Sequence, residues 1–517
     1  MSHLLLRPRS PTYEAEVSQP LLAHNHDGGG NDEDNPEDYD YPRDFRYPPS
    51  STSLVELDKR ATFHEQKKVS TLVGKEVERQ SWQSIRDEVD QGDDTANPNL
   101  GPPPDGRRYL LSALANLTKS IVGIGILSLP HALNESGLVS GIVVILSLGR
   151  VTDWTVEIMA ANAQLSGENT YIGVMQRCFG WRGGALLSFF QLFTTWGGAV
   201  TYLIVLGDTL PRVLREILPY SPNSPMQEFI LQRNTVIVLS TVLITFPLAL
   251  YRDIRKLAHA SAFALFSTGI SIIVVLVRAP ALPMALRREP QPLDLSFRPG
   301  FLEAVAIISY AFGCQGATVL IFRSLHTPSL TMFHRLTHVS LMIAGSAYLV
   351  MAVGGYLNFG EKTMSNVLNN FPVDDKWANI ARACFAITML MSLPARALFL
   401  REVLDVNFHH EQPFSMRRHI LQTVAVQLSP MIVAMLICDL GLPIAIVGGL
   451  GGTSLAYIFP PACYLALTRS SYTSRRRFLA WLCLVFGCCF MVGSTSSSIL
   501  KALAAQKGGR VGSCKST

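Results

Sequence analysis

About eleven stretches of this chain are each apolar over roughly 20 residues, the length a helix needs to cross a bilayer. They lie near 110–134, 140–163, 184–210, 234–251, 257–279, 301–324, 337–358, 377–403, 419–438, 441–467 and 478–500. Hydrocarbon offers no hydrogen-bond partners, so a crossing backbone must satisfy its own N–H and C=O groups. The chain is therefore read as an all-α polytopic membrane protein with about 11 transmembrane helices over 109–500. Apolar residues surround most of these stretches, so periodicity alone does not orient them.

Charge divides the chain. Residues 1–108 carry 13 Lys+Arg against 21 Asp+Glu, whereas the remainder carries 31 against 18. Asp27 to Asp44 mixes Gly, Asn, Asp, Glu, Pro and Tyr and offers almost nothing to bury. Residues 1–108 are thus expected to be a disordered cytosolic region, and 501–517 a short tail. Basic residues of the body fall between the apolar stretches, as loop charges do. The net charge of +5 is no nucleic-acid signal. With the N-terminus in the cytosol, cytosolic connections hold about 16 Lys and Arg, including Arg252, Arg255, Lys256 and Arg475–Arg477, against about nine on the other side. Most of the nine cysteines lie inside apolar stretches and none has metal-ligand spacing. They read as small packing residues rather than a disulfide framework. The stretches contain no paired aspartates, no His-rich metal motif and no Gly-x-Ser-x-Gly, so neither an intramembrane enzyme nor a metal or cofactor is expected.

The first stretch contains Lys119-Ser120-Ile121-Val122-Gly123-Ile124-Gly125-Ile126-Leu127-Ser128-Leu129-Pro130, a poor membrane helix. Two glycines fall within three positions, and Pro130 lacks an N–H. Such a segment opens only where the freed backbone groups find partners in protein, water or ligand. An opened helix in a bilayer is a polar site: half-helix N-termini attract carboxylates and unwound carbonyls attract cations. The reading is a break at Gly123–Gly125 that receives a zwitterion; a glycine groove for helix packing is the alternative. Lys119 lies about ten residues, hence about 15 Å, inside the stretch. A lysine at that depth costs about 2.5–3.5 kcal/mol and faces a cavity or a partner.

The sixth stretch is interrupted in the same way. Gly313 and Gly316 bracket Gln315 near its middle. Two interrupted stretches five spans apart point to the binding site of a secondary transporter. In the eighth, Thr388 and Ser392 are four apart, so both hydroxyls share one face. The third carries Gln191, Thr194, Thr195 and Tyr202.

These residues resemble the amino acid/auxin permease family. Lys119–Pro130 followed by Gly137 is similar to the family's first-span pattern, and Tyr202-x4-Gly207-Asp208 to the end of its third. Ala311-Phe312-x-Cys314-Gln315 with Ile321-Phe322-Arg323-Ser324-Leu325 resembles its sixth. Gly354-Gly355-Tyr356-Leu357-x-Phe359-Gly360 and Leu398-x-x-Arg401-Glu402 extend the likeness, which covers about 109–500 and is nearest to sodium-coupled neutral amino acid transporters and fungal vacuolar amino acid transporters. The resemblance implies a five-plus-five inverted repeat of the leucine-transporter type plus one extra helix. It also implies secondary active transport of amino acids, neutral ones foremost, by alternating access. By the same likeness, Ile121, Val122, Gly123 and Gly125 hold the substrate from the first span and Phe312, Gly313, Cys314 and Gln315 face it from the sixth. The vacuolar kinship favours a vacuolar or lysosomal membrane over the plasma membrane.

One departure bears on coupling. Sodium-coupled relatives carry asparagine where this chain has Lys119, and Ser392 matches the hydroxyl that pairs with it. An ammonium there can replace the ion's charge, and burial favours the neutral form of a lysine. Lys119, Thr388 and Ser392 are thus the expected ion-coupling residues, with a proton as coupling ion and no sodium dependence. A reading from another class is a transporter-like amino acid sensor that signals through the cytosolic N-terminus.

Overall fold

The protein is described here by a computed structural model covering residues 106–217, 225–251, 259–288, 297–324, 330–408, 415–468 and 475–507. The expected disordered cytosolic head and most of the expected tail lie outside the described residues. Every regular element among the described residues is a helix.

Among the described residues, nine helices are long and apolar enough to cross a membrane, and ten if one bent pair counts as a single span. The bent pair is α1 (Gly106–Ile121) and α2 (Leu129–Ser136), joined by a 3₁₀ turn at Ile124–Ser128 and inclined by 42°. Next come α3 (Leu138–Ser166), α4 (Tyr171–Ile217), α5 (Arg233–Leu250) and α6 (His259–Arg278). The sixth expected span is two short helices, α7 (Phe301–Ala311) and α8 (Gln315–Ser324). The interruption at Phe312–Cys314 leaves each below the length that crosses a bilayer. The remaining helices are α9 (Leu330–Phe359), α10 (Lys376–Phe408), α11 (Met416–Leu436), α12 (Gly441–Leu467) and α13 (Arg475–Lys507). The last continues past the expected end at 500 and takes up the start of the expected tail.

Local chemistry sets the breaks. Val122 is the last residue to donate an α-helical bond, to the Thr118 carbonyl at 2.7 Å. Gly123 is then extended, with φ −114° and ψ −158°. Pro130 falls in the first turn of α2, where its missing N–H has no intrahelical partner to lose. Gly137 has φ +90°, a conformation that glycine adopts without strain, and it turns the chain into α3. Gly180 does the same with φ +68° and kinks α4, so the expected third span is the part of α4 beyond that kink.

The two broken segments meet at their breaks. A Cβ on Gly125 would lie 2.7 Å from the Cα of Ala311, so backbone touches backbone there. Each break frees a carbonyl, and one side chain serves both. The fully buried Tyr348 of α9 places its hydroxyl 2.8 Å from the Ile121 carbonyl and 2.6 Å from the Ala311 carbonyl. With a single proton it donates to one at a time.

Beyond the breaks the packing is tight. Ile124, Ile126, Leu127 and Leu129 are buried, as are Ala304–Ile308 of α7. Pro130 packs on Gly355 of α9, and Ser128 donates to the Ser365 carbonyl at 2.6 Å. Lys501 of α13 pairs with Glu303 of α7 at 2.7 Å and Glu135 of α2 at 3.0 Å, tying three helices at this end. Arg382 of α10 is fully buried, and its two terminal nitrogens donate to the carbonyls of Leu368, Phe371 and Pro372 and to Asn379 Oδ1. One cysteine departs from the sequence reading: Cys438, just beyond α11, is disulfide-bonded.

Two substitutions test this junction. Tyr348→Phe strands both freed carbonyls and is expected to cost about 1–3 kcal/mol of stability, read from thermal unfolding of the detergent-solubilised protein. Gly125→Ala forces a methyl against the α7 backbone and is expected to cost about 1–3 kcal/mol through overpacking, read from the same thermal unfolding.

Candidate functional site: a cavity at two helix breaks

A cavity of about 430 Å³ lies at the two breaks. This is within the range of small-molecule sites. Its floor is the first break, with Ile121, Val122, Gly123 and Gly125, and Lys119 and Ser120 from the last turn of α1. Opposite stand Ala311, Gly313, Cys314, Gln315 and Gly316 from the second break, with Tyr310. The α10 side supplies Phe385, Thr388, Met389, Ser392, Arg396 and Phe399, and α4 supplies Gln191, Thr194, Thr195 and Tyr202.

The structure thus brings together ten of the eleven residues singled out from the sequence, since Phe312 is absent from this lining. The Phe312 ring turns away into the core, edge-on to Tyr348 at 5.0 Å between centroids and against Gly149 of α3. It supports the break rather than facing the cavity. The break itself accounts for this. Phe312 still donates to the Ile308 carbonyl at 3.1 Å, so its side chain points where one more α-helical turn would carry it.

Each lining group has a definite state. Lys119 sits in the final turn of α1, where the exposed carbonyl end of a helix favours a cation. Gln315 begins α8 and spends its oxygen there: Oε1 accepts from the Cys314 amide at 3.0 Å. Its Nε2 is buried and has no hydrogen-bond partner in the protein. The Thr388 hydroxyl donates to the Cys384 carbonyl at 2.9 Å, within its own helix. It can therefore offer the cavity only oxygen lone pairs. Ser120 is likewise bonded to the Leu117 carbonyl at 2.7 Å.

Tyr202, Tyr310 and Arg396 are among the lining residues that carried no assigned role in the sequence reading. Arg396 had a legible signal, since it follows Ser392 by four residues and Thr388 by eight and so continues their face of α10. Tyr310 had none; it immediately precedes the break, and only the fold turns it inward. The Tyr310 hydroxyl lies 3.1 Å from the Thr201 hydroxyl of α4, and the Arg396 guanidinium lies 4.1 Å from the centre of the Tyr202 ring.

The cavity is therefore small and mostly apolar, with polar groups converging from two opened helices. It carries two cations and, among the described residues, no carboxylate. No group of three or more His, Cys, Asp or Glu that could hold a metal occurs among the described residues.

Comparison with known proteins agrees with that description. Residues 107–500 match the family described as transmembrane amino acid transporter protein. Vacuolar amino acid transporter 2 of Saccharomyces cerevisiae is 33% identical over 421 residues, covering 80% of this chain and 87% of that protein. The putative sodium-coupled neutral amino acid transporter 11 of Bos taurus is 30% identical, covering 74% of this chain and 81% of the relative. The Homo sapiens protein of the same name is 30% identical over 70% of this chain and 87% of its own length. A helical bundle with two opened spans, a chamber at their meeting point and this kinship place the chain in the transmembrane amino acid transporter family, as a multi-pass membrane transporter and not an enzyme.

Proposed function

We propose that this chain is a secondary active transporter that carries neutral amino acids by alternating access, linked to protons and independent of sodium. The observation that carries the reading is the cavity bounded by both helix breaks. At such a site the opened backbone and the N-terminus of α8 receive a carboxylate, while the carbonyl end of α1 receives an ammonium. Ile121, Val122, Gly123, Gly125, Gly313, Cys314 and Gln315 are the substrate-binding groups of this proposal. Phe312 is a positioning residue behind them.

In the same reading α7 and α8 are one interrupted span, which makes eleven with the bent pair. Helices α1 to α6 and α7 to α12 then form the five-plus-five inverted repeat, and α13 is the extra helix. An N-terminus in the cytosol follows from the loop charges, and a vacuolar or lysosomal membrane from kinship with the yeast transporter. Successive spans run in opposite directions. The end of α1, the start of α8 and the later half of α10 therefore face the cytosol together. They line the cavity, while the residues beyond the breaks are buried. The conformation is accordingly the cytosol-facing one.

Lys119 is the coupling group of the proposal, with Thr388 and Ser392 across the cavity on α10. A permanent sodium ion and a lysine ammonium in one place would repel, so the lysine substitutes for the ion. Losing and regaining its proton then changes the charge of the site once per cycle. The alternative reading, an amino acid sensor, rests on a region outside the described residues.

Purified protein in liposomes, with an amino acid panel and an imposed pH gradient, tests the reading. Uptake is expected to be unchanged when sodium is removed and to follow the proton gradient. Lys119→Asn is expected to abolish the response to the pH gradient. Uptake that collapses without sodium, or a Lys119→Asn protein with an intact pH response, would refute the coupling scheme.

A further inference from the structure

Arg396 is the least expected group in the cavity. An arginine within a membrane span is costly and is found facing the protein interior or water, paired with partners. Here α10 carries it inward on the face of Thr388 and Ser392. Three features hold it there. The guanidinium lies over the Tyr202 ring at 4.1 Å, within the range in which a ring face attracts a cation. Gly198, one turn before Tyr202 on α4, leaves the space: a Cβ there would overlap Arg396 Nη1 and would lie 3.3 Å from the Tyr310 hydroxyl. Thr201 fixes that hydroxyl at 3.1 Å. Helices α4, α7 and α10 therefore share in building the position.

The charge balance of the cavity follows. Lys119 and Arg396 are its charged lining groups, and no aspartate or glutamate answers them among the described residues. Two like charges with low-dielectric walls give a positive potential, which a cationic guest raises and an electron-rich one relieves. In the reading above the opened backbone and the N-terminus of α8 take the α-carboxylate, and Lys119 serves the coupling proton. Arg396 is left to face whatever the substrate side chain presents. A fork of N–H donors suits an oxygen acceptor, and it repels an ammonium or guanidinium.

We propose that Arg396 is the specificity-determining residue that reads the substrate side chain. It favours side chains that end in an acceptor oxygen, the amides and acids of the glutamine and glutamate type, and it excludes lysine and arginine. The proposal rests on the amino acid reading above for the α-carboxylate and ammonium; its own claim concerns the side chain alone. It narrows the neutral substrates to those with a side-chain oxygen and admits the acids beside them.

The test uses the full chain in liposomes, with labelled glutamine and leucine as substrates and glutamate and lysine as competitors. Thermal stabilisation of the purified protein by each amino acid is measured in parallel. The wild type is expected to favour glutamine or glutamate over leucine and to ignore lysine; the order of the amide and the acid identifies the better source of the oxygen. Arg396→Gln is expected to raise KM for glutamine by about tenfold, to leave KM for leucine within about twofold, and to let lysine compete. Arg396→Lys keeps the charge and should still exclude lysine. Gly198→Ala crowds the guanidinium and should weaken glutamine in the same direction, which keeps the test open should Arg396→Gln fold poorly. Lysine competing as well as glutamine in the wild type would overturn the proposal. So would an Arg396→Gln protein in which glutamine and leucine weaken alike, the mark of a structural arginine. Stabilisation by glutamine without uptake would uphold the role of Arg396 and refute transport. No stabilisation and no uptake with any of the four would overturn both.

Discussion

An opened backbone inside a bilayer has to find partners for its own polar groups, and the rest of this fold is arranged around that requirement. Two helices are interrupted where they cross, at Val122–Gly123 and Phe312–Cys314. The freed carbonyls of Ile121 and Ala311 meet in one tyrosine hydroxyl from α9. The amide of Cys314 takes the side-chain oxygen of its neighbour Gln315. Gly125 lets the two backbones touch, so both breaks lie at one depth. Removing side-chain bulk and supplying a few hydrogen bonds thus converts two poor membrane helices into the walls of one cavity.

Buried charge shows the same economy with two different outcomes. Arg382 spends both terminal nitrogens on three carbonyls and an asparagine oxygen, and so holds a segment in place. Arg396 lies over an aromatic face beside a glycine and borders the cavity. Lys119 borders it too, at the carbonyl end of a helix. Both arginines look alike in a hydropathy profile. Their surroundings separate a cation spent on the fold from one that borders the cavity.

The seal beyond the breaks complements the chamber. Ile124 to Leu129 and Ala304 to Ile308 are buried, and Lys501 joins α2, α7 and α13 through Glu135 and Glu303. One side of the junction is buried and tied by ion pairs, and the other holds the cavity.

Much of this was legible in the residues. Apolar runs of membrane length fixed an all-helical bundle, because no other open structure satisfies a backbone in lipid. Gly123, Gly125, Gly313 and Gly316 marked both breaks, since helices of that length rarely tolerate such pairs without a purpose, and Lys119 marked the cavity through its depth. Spacing of four put Thr388 and Ser392 on one face. Other features belonged to the tertiary structure alone. That Tyr348 serves both breaks depends on a helix more than 200 residues from one of them. That Phe312 turns into the core and Tyr310 into the cavity depends on how far the α-helical path persists before it opens. That Arg396 meets the chamber while Arg382 is consumed depends on which carbonyls lie within reach. Period and polarity are local and can be read along a chain. Partnership between distant groups is settled only when the helices pack.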